Sequence, residues 1–107
     1  MYGDVDHDGD VDAVVEYEWD FSRSGGNGWG ENIAVFRNNA GRFEWIADDE
    51  VGGKSSRLFK LIGIKNGLIL GETLSDLKGT YACQEVGDNC VRRNVQLSLK
   101  GNKLIEK

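Results

Sequence analysis

The dominant signal along the chain is alternation of apolar and polar residues with a period of two. Ala13, Val15, Tyr17, Trp19 and Phe21 are apolar, and Glu16, Glu18 and Asp20 lie between them. Successive side chains of a strand point to opposite faces. The segment therefore predicts a strand that buries its odd-numbered face and wets its even-numbered one. Ile33-Ala34-Val35-Phe36 predicts a short strand apolar on both sides, Asn38-Asn39-Ala40-Gly41 a turn, and Phe43 to Ala47 the returning strand. Leu58 to Lys65 and Leu68 to Leu74 flank Asn66-Gly67, a pair that marks a hairpin because both positions tolerate positive φ. Val95, Leu97 and Leu99 alternate with Gln96, Ser98 and Lys100, and Gly101-Asn102 turns the chain into Lys103 to Glu106. Tyr17, Trp19, Phe36 and Trp45 fall at strand positions and are expected in the core.

These segments amount to about seven strands and no helix, joined mostly by short turns that pair neighbours antiparallel. The expected fold is all-β: an antiparallel meander forming a blade-like sheet or a small sandwich. The longer connections run over 22–30, 48–56 and 83–90. The chain has 107 residues and no segment that looks like an interdomain linker, so one β-domain over 1–107 is expected. Fifteen glycines agree with many tight turns.

The net charge of −5 changes the range of partners. Arg92-Arg93 is the only basic pair, and Glu85 and Asp88 dilute it, so no basic stripe is present to neutralise phosphates and nucleic acid is excluded. No apolar run approaches the roughly 18 residues of a membrane span. Met1-Tyr2-Gly3 runs straight into acid, so no signal peptide is expected within this chain, and a leader is expected to have been removed.

Cys83 and Cys90 are the only cysteines. They suit a disulfide closing a short loop over 84–89. Free thiols in a reducing cell and a metal pair are the alternatives, although no further cysteine is available and His7 is distant in sequence. A disulfide implies an oxidising compartment, a periplasm or the cell exterior.

The most specific motif is Asp4-Val5-Asp6-His7-Asp8-Gly9-Asp10-Val11-Asp12, with five carboxylates in nine residues. Unpaired, they would repel one another and raise their own pKa values. A hard dication removes that cost, and calcium accepts six to eight oxygens at loose geometry. Asp4, Asp6 and Asp8 stand at alternating positions that converge when a loop winds around an ion. Gly9 permits the sharp turn, Asp10 offers its backbone carbonyl, and Asp12 closes the loop directly or through water. The EF-hand reading fails, because that loop needs Glu at its twelfth position, here Val15, and a following helix where a strand is expected. The bland alternative is a solvated acidic turn. His7 is expected to face outward, since calcium prefers oxygen.

The segment Gly3-Asp4-Val5-Asp6-His7-Asp8-Gly9-Asp10-Val11-Asp12-Ala13-Val14-Val15 resembles the FG-GAP or VCBS-type repeat, in which a calcium loop leads into a strand. The resemblance implies calcium held by Asp4, Asp6, Asp8 and Asp12 with the carbonyl of Asp10. Only one such loop is present, so a closed multi-blade propeller cannot be built from this chain. More loosely, the remainder is similar to small bacterial periplasmic proteins carrying a single loop of this type. The expected organisation is thus a calcium-binding loop over 1–12 and an antiparallel sheet over 13–107.

Other motifs carry less. Ser24-Gly25-Gly26-Asn27-Gly28-Trp29-Gly30 could cradle an anion with its N–H groups but reads more simply as a link between strands. Trp29 within it is a candidate partner contact if exposed, or a core residue if folded back. Gly53-Lys54-Ser55 is no P-loop, because the glycine needed upstream is Asp48. A triad would have to use His7, and Glu16, Glu18, Glu44 and Glu72 suit solvent-facing strand positions better than a glycosidase pair. Neither cysteine has an evident base partner. The expectation is a non-catalytic, calcium-binding, exported β-domain that is structural or binds a protein partner. The alternative is a periplasmic inhibitor or immunity-type protein that binds a cell-envelope enzyme.

Overall fold

A computed structural model describes residues 1–20, 28–83, 86–87 and 89–107. They form eight strands: β1 (Tyr2–Gly3), β2 (Asp12–Asp20), β3 (Trp29–Asn39), β4 (Arg42–Gly53), β5 (Leu58–Lys65), β6 (Leu68–Asp76), β7 (Cys90–Lys100) and β8 (Lys103–Glu106). None of the described residues is helical, and no helix is long and apolar enough to cross a membrane. The strands make two four-stranded sheets of order β1-β2-β3-β4 and β5-β6-β7-β8. All paired neighbours are antiparallel. The all-β expectation holds in its sandwich form, with the meander run twice. The strand beyond the expected seven is β1, whose Tyr2 and Gly3 pair with Ala13 and Asp12.

Turn chemistry sets the hairpins. Asn66 (φ 53°) and Gly67 (φ 76°) both take positive φ between β5 and β6, as their pairing predicts. Ala40 (φ 53°) and Gly41 (φ 89°) do the same between β3 and β4, where the Asn38 side chain accepts the Gly41 N–H at 2.8 Å.

The core lies between the sheets. Val14, Ile33, Val35, Ala47 and Val51 of the first sheet, together with Val5 of the loop, meet Phe59, Ile69 and Leu97 of the second. Burying each of the larger aliphatic side chains is worth about 1.5–3 kcal/mol.

The face expectation for β2 is overturned. Val14 and Asp12 are fully buried, whereas Val15 and Tyr17 are 44% and 39% exposed. Trp45, expected in the core, is 62% exposed, and Trp19 and Phe36 are half-buried. The physical reason is that the first sheet is apolar on both faces, so alternation establishes two faces without saying which one meets the second sheet. Phe21, expected on the same strand, lies outside the described residues.

The free edges of the second sheet are closed by carboxylates from the first. The β5 backbone N–H groups of Phe59 and Leu61 donate to Glu31 Oε1 at 2.8 Å and Glu16 Oε2 at 2.7 Å. On β8, Leu104 N–H donates to Asp49 Oδ2 at 2.7 Å. Unpaired edge donors otherwise invite pairing with another chain. Glu16 is therefore an edge cap rather than simply a wetted strand residue.

Cys83 and Cys90 are joined in a disulfide. That outcome is consistent with an oxidising environment. Of the glycine-rich stretch, 24–27 lies outside the described residues. Trp29 opens β3 opposite Asp20, is half-buried, and its carbonyl accepts the Lys54 N–H at 3.0 Å.

Candidate metal centre

The acidic loop spans the gap between β1 and β2 and is tied down at both ends. β1 fixes its start by pairing with β2. Asp12, fully buried, accepts the Val5 N–H on Oδ2 at 3.0 Å and the Asn38 N–H on Oδ1 at 2.9 Å. One carboxylate thus pins the loop to itself and to the end of β3. Val5 drops into the core and anchors the loop's underside.

The remaining turns are wound by the aspartates themselves. Asp4 Oδ2 accepts the Gly9 N–H at 2.9 Å, Asp6 Oδ1 the Asp8 N–H at 3.3 Å, and Asp8 Oδ1 the Asp10 N–H at 2.9 Å. Such side-chain to backbone bonds favour turns over extended structure. Gly9 at φ 90° makes the reversal that a side chain would resist.

Winding brings Asp4, Asp6, Asp8 and Asp12 together, each offering one carboxylate oxygen, with all four atoms within 4.8 Å of one another. Asp10 is exposed and its carboxylate is not part of this group. The part expected of Asp10 is its backbone carbonyl. Asp4 Oδ1 is buried without a hydrogen-bond partner, the one buried side-chain oxygen or nitrogen among the described residues in that condition.

The electrostatics reflect this crowding. Burial, reinforced by the Asp8 side chain and the Asp12 charge, pushes the Asp6 carboxyl above the ordinary carboxylate range. Burial also pushes Asp4 upward, but the Gly9 N–H and hydrogen bonds from the Asp6 and Asp8 segment together outweigh it and leave Asp4 below its ordinary value.

Two neighbours were not legible in the sequence. Arg37 of β3 donates to Asp6 Oδ2 at 3.0 Å and is the guanidinium paired with the cluster. Asn38 supplies the second N–H to Asp12. Both lie far along the chain from the loop and carry no local motif. His7, between two cluster residues, is exposed as expected, with φ 60°. Its ring covers Gly67, where an added Cβ would stand 2.1 Å from Nε2. His7 is thus a contact to the β5–β6 hairpin and outside the group of converging carboxylates.

Trp29 is not near this cluster. With Trp19, Gly28 and Lys54 it lines a hollow of about 230 Å³ at the other end of the first sheet. Of the candidate carboxylates for hydrolysis, Glu16 and Glu18 share one face of β2 beside Glu31, whereas Glu44 and Glu72 lie elsewhere with partners of their own. Glu16 caps β5, Glu44 accepts from Asn39, and Glu72 pairs with Arg92 at 3.2 Å. Comparison with protein-family models, curated proteins and solved structures finds no match.

Proposed function

We propose that this chain is a calcium-stabilised, non-catalytic β-module of an exported protein. The observation that carries the reading is Asp4 Oδ1, a buried carboxylate oxygen with no partner, inside a group of four converging carboxylates. A buried acceptor without a donor is unfavourable, and four acids facing one guanidinium repel. A dication at that point offsets both.

The donor set favours a hard ion. It consists of carboxylate oxygens without sulfur or nitrogen, which suits calcium or magnesium rather than a softer transition metal. Calcium takes oxygens at about 2.3–2.6 Å, so oxygens on opposite sides of it stand up to roughly 5 Å apart. The group fits within that span. Magnesium demands a tighter, near-octahedral arrangement. Asp4, Asp6, Asp8 and Asp12 would hold the ion, and the ion would neutralise them and fix the entry into β2. The reading assigns no reaction to the site. Export to a periplasm or the cell exterior belongs to the same proposal and is supported by the disulfide.

Thermal unfolding with and without calcium tests it. Calcium at a hundredfold excess over its Kd should add about 2.7 kcal/mol, a rise that chelator reverses and magnesium reproduces poorly. A melting temperature indifferent to calcium would remove the metal from the reading and leave a β-sandwich stabilised by its core alone.

A further inference from the structure

The first sheet buries one face against the second sheet and presents an apolar, aromatic face to solvent. On that outer side Tyr2 is 70% exposed, Trp45 62%, Phe43 48%, Val15 44% and Tyr17 39%. The register places them together. Ala13 stands beside Phe36 and Phe36 beside Trp45, while Val15 stands beside Ala34 and Ala34 beside Asp48. Tyr2 pairs with Ala13, and its ring lies 6.3 Å from that of Phe43. An outward sheet face is normally polar, and a contiguous exposed apolar patch marks an interaction site.

The polar group at the centre of this face selects the occupant. Asp48 accepts the Tyr17 hydroxyl at 2.7 Å and the Asn32 side-chain N–H at 3.0 Å. Both partners are neutral, and Asp48 belongs to none of the ion pairs among the described residues. The Asp48 carboxylate pushes the Tyr17 phenol above its ordinary value, as a nearby negative charge does. Glu50, opposite Asn32, adds a second acid to the same side. An apolar or anionic surface laid over Asp48 would strip water from an uncompensated charge. A cationic side chain would compensate it and gain ring faces besides, because ammonium and guanidinium groups are attracted to aromatic quadrupoles.

We propose that the outer face of the first sheet docks a basic segment of another protein, with a lysine or arginine side chain seated over Asp48 beside the rings of Tyr17 and Trp45. This surface is separate from the acidic loop, and the inference stands whether or not the loop binds calcium. The rings supply apolar area at low entropic cost, and the central carboxylate supplies charge selectivity.

Nuclear magnetic resonance titration of the intact chain, in calcium buffer, tests it with N-acetyl-arginine amide and N-acetyl-lysine amide as probes. N-acetyl-norleucine amide, of similar shape and uncharged, is the control. The expected result is a saturable shift of the Trp45 indole N–H and of β2–β4 outer-face signals with both cationic probes, at millimolar Kd. The neutral control should bind at least roughly tenfold more weakly. Asp48→Asn, which keeps an acceptor for Tyr17 and a similar shape, should abolish the preference for cations, and Trp45→Ala should weaken both cationic probes. Equal shifts from the neutral amide overturn the proposal, as do shifts confined to the acidic loop or no saturable shift at all. Binding of a neutral oligosaccharide in place of the amides assigns the face to glycans. Self-association lost in Trp45→Ala assigns it to a second copy of the chain. Either result also overturns the proposal.

Discussion

The backbone N–H of Phe59 donates to Glu31 Oε1 at 2.8 Å, across the gap between the two sheets. Phe59 is a core residue and Glu31 is itself buried, so the bond lies where its loss cannot be repaired by water. The same carboxyl is pushed above its ordinary value of 4.5 by burial first, with Glu16 and Glu18 adding repulsion. Glu31 is thus an acceptor the fold needs and a charge it bears at a cost.

The two roles separate by substitution. Glu31→Ala leaves the Phe59 N–H buried and unpaired and should destabilise by about 1–3 kcal/mol. Glu31→Gln keeps an acceptor and removes the charge, so it should be far milder and can stabilise at neutral pH. The sign follows from linkage: a glutamate that binds its proton more tightly when folded loses stability as pH rises through the window between 4.5 and its raised folded value. The advantage of Glu31→Gln over the native chain should therefore be largest at neutral pH and shrink below pH 4.5. Chemical denaturation of the two proteins across that range measures it. A gap that widens on acidification would contradict the assignment.

Much of this arrangement was legible in the sequence, and the reasons for the remainder are physical. Apolar patterning located seven of the eight strands but not all their ends, since β4 runs on to Gly53 through the stretch read as a connection over 48–56, and Asn66-Gly67 located its hairpin because that signal is local. The acidic loop was legible for the same reason: its aspartates are wound by their own neighbours' N–H groups. The phase of β2 was not, since Val14 and Val15 are equally apolar and only the second sheet decides between them. Nor were the roles of Glu16 and Glu31 as edge caps, or of Arg37 beside Asp6, because each partner is brought in from 28 to 45 residues away, the two glutamates by sheet stacking and Arg37 by strand pairing within the first sheet.

Asp8 and Asp12 should differ in kind. Asp8 is exposed and its carboxylate accepts one local turn bond, from the Asp10 N–H, so Asp8→Asn should fold normally and lose most of the calcium-dependent rise in melting temperature. Asp12 is fully buried and serves two backbone N–H groups. Asp12→Ala should cost about 2–5 kcal/mol even without calcium, since one buried and one part-buried donor lose their acceptor. Calorimetry in chelator distinguishes the two. Equal destabilisation would mean that Asp12 does not tie the loop to β3.

Arg37 places a positive charge where the proposed ion carries two. Its side chain occupies Asp6 Oδ2 and is 42% exposed, so the pair itself is worth only about 1 kcal/mol or less. Arg37→Met should lower the melting temperature in chelator by a small amount, because the acids then face one another uncompensated. With calcium the order reverses: the freed oxygen and the lost cation should tighten binding by roughly fivefold, about 1 kcal/mol. Isothermal titration at low salt reads the affinity, where screening is least. Weaker calcium binding in Arg37→Met would show instead that the guanidinium holds Asp6 in place for the ion.

His7 and Gly67 couple the acidic loop to the second sheet. A Cβ at Gly67 would stand 2.1 Å from His7 Nε2, and Gly67 sits at φ 76°, where a side chain is strained in any case. The backbone strain of Gly67→Ala should cost about 1–2 kcal/mol. The steric clash adds to that and has a second consequence, because relieving it displaces His7, which lies between Asp6 and Asp8. Gly67→Ala should therefore weaken calcium binding from outside the loop. The double variant Gly67→Ala, His7→Ala should recover most of the affinity and little of the backbone cost, since removing the ring removes the clash but leaves φ unchanged. A double-mutant cycle on calcium affinity measures the coupling. Purely additive effects of the two substitutions would mean that the loop finds its ion-binding shape without reference to the hairpin beneath it.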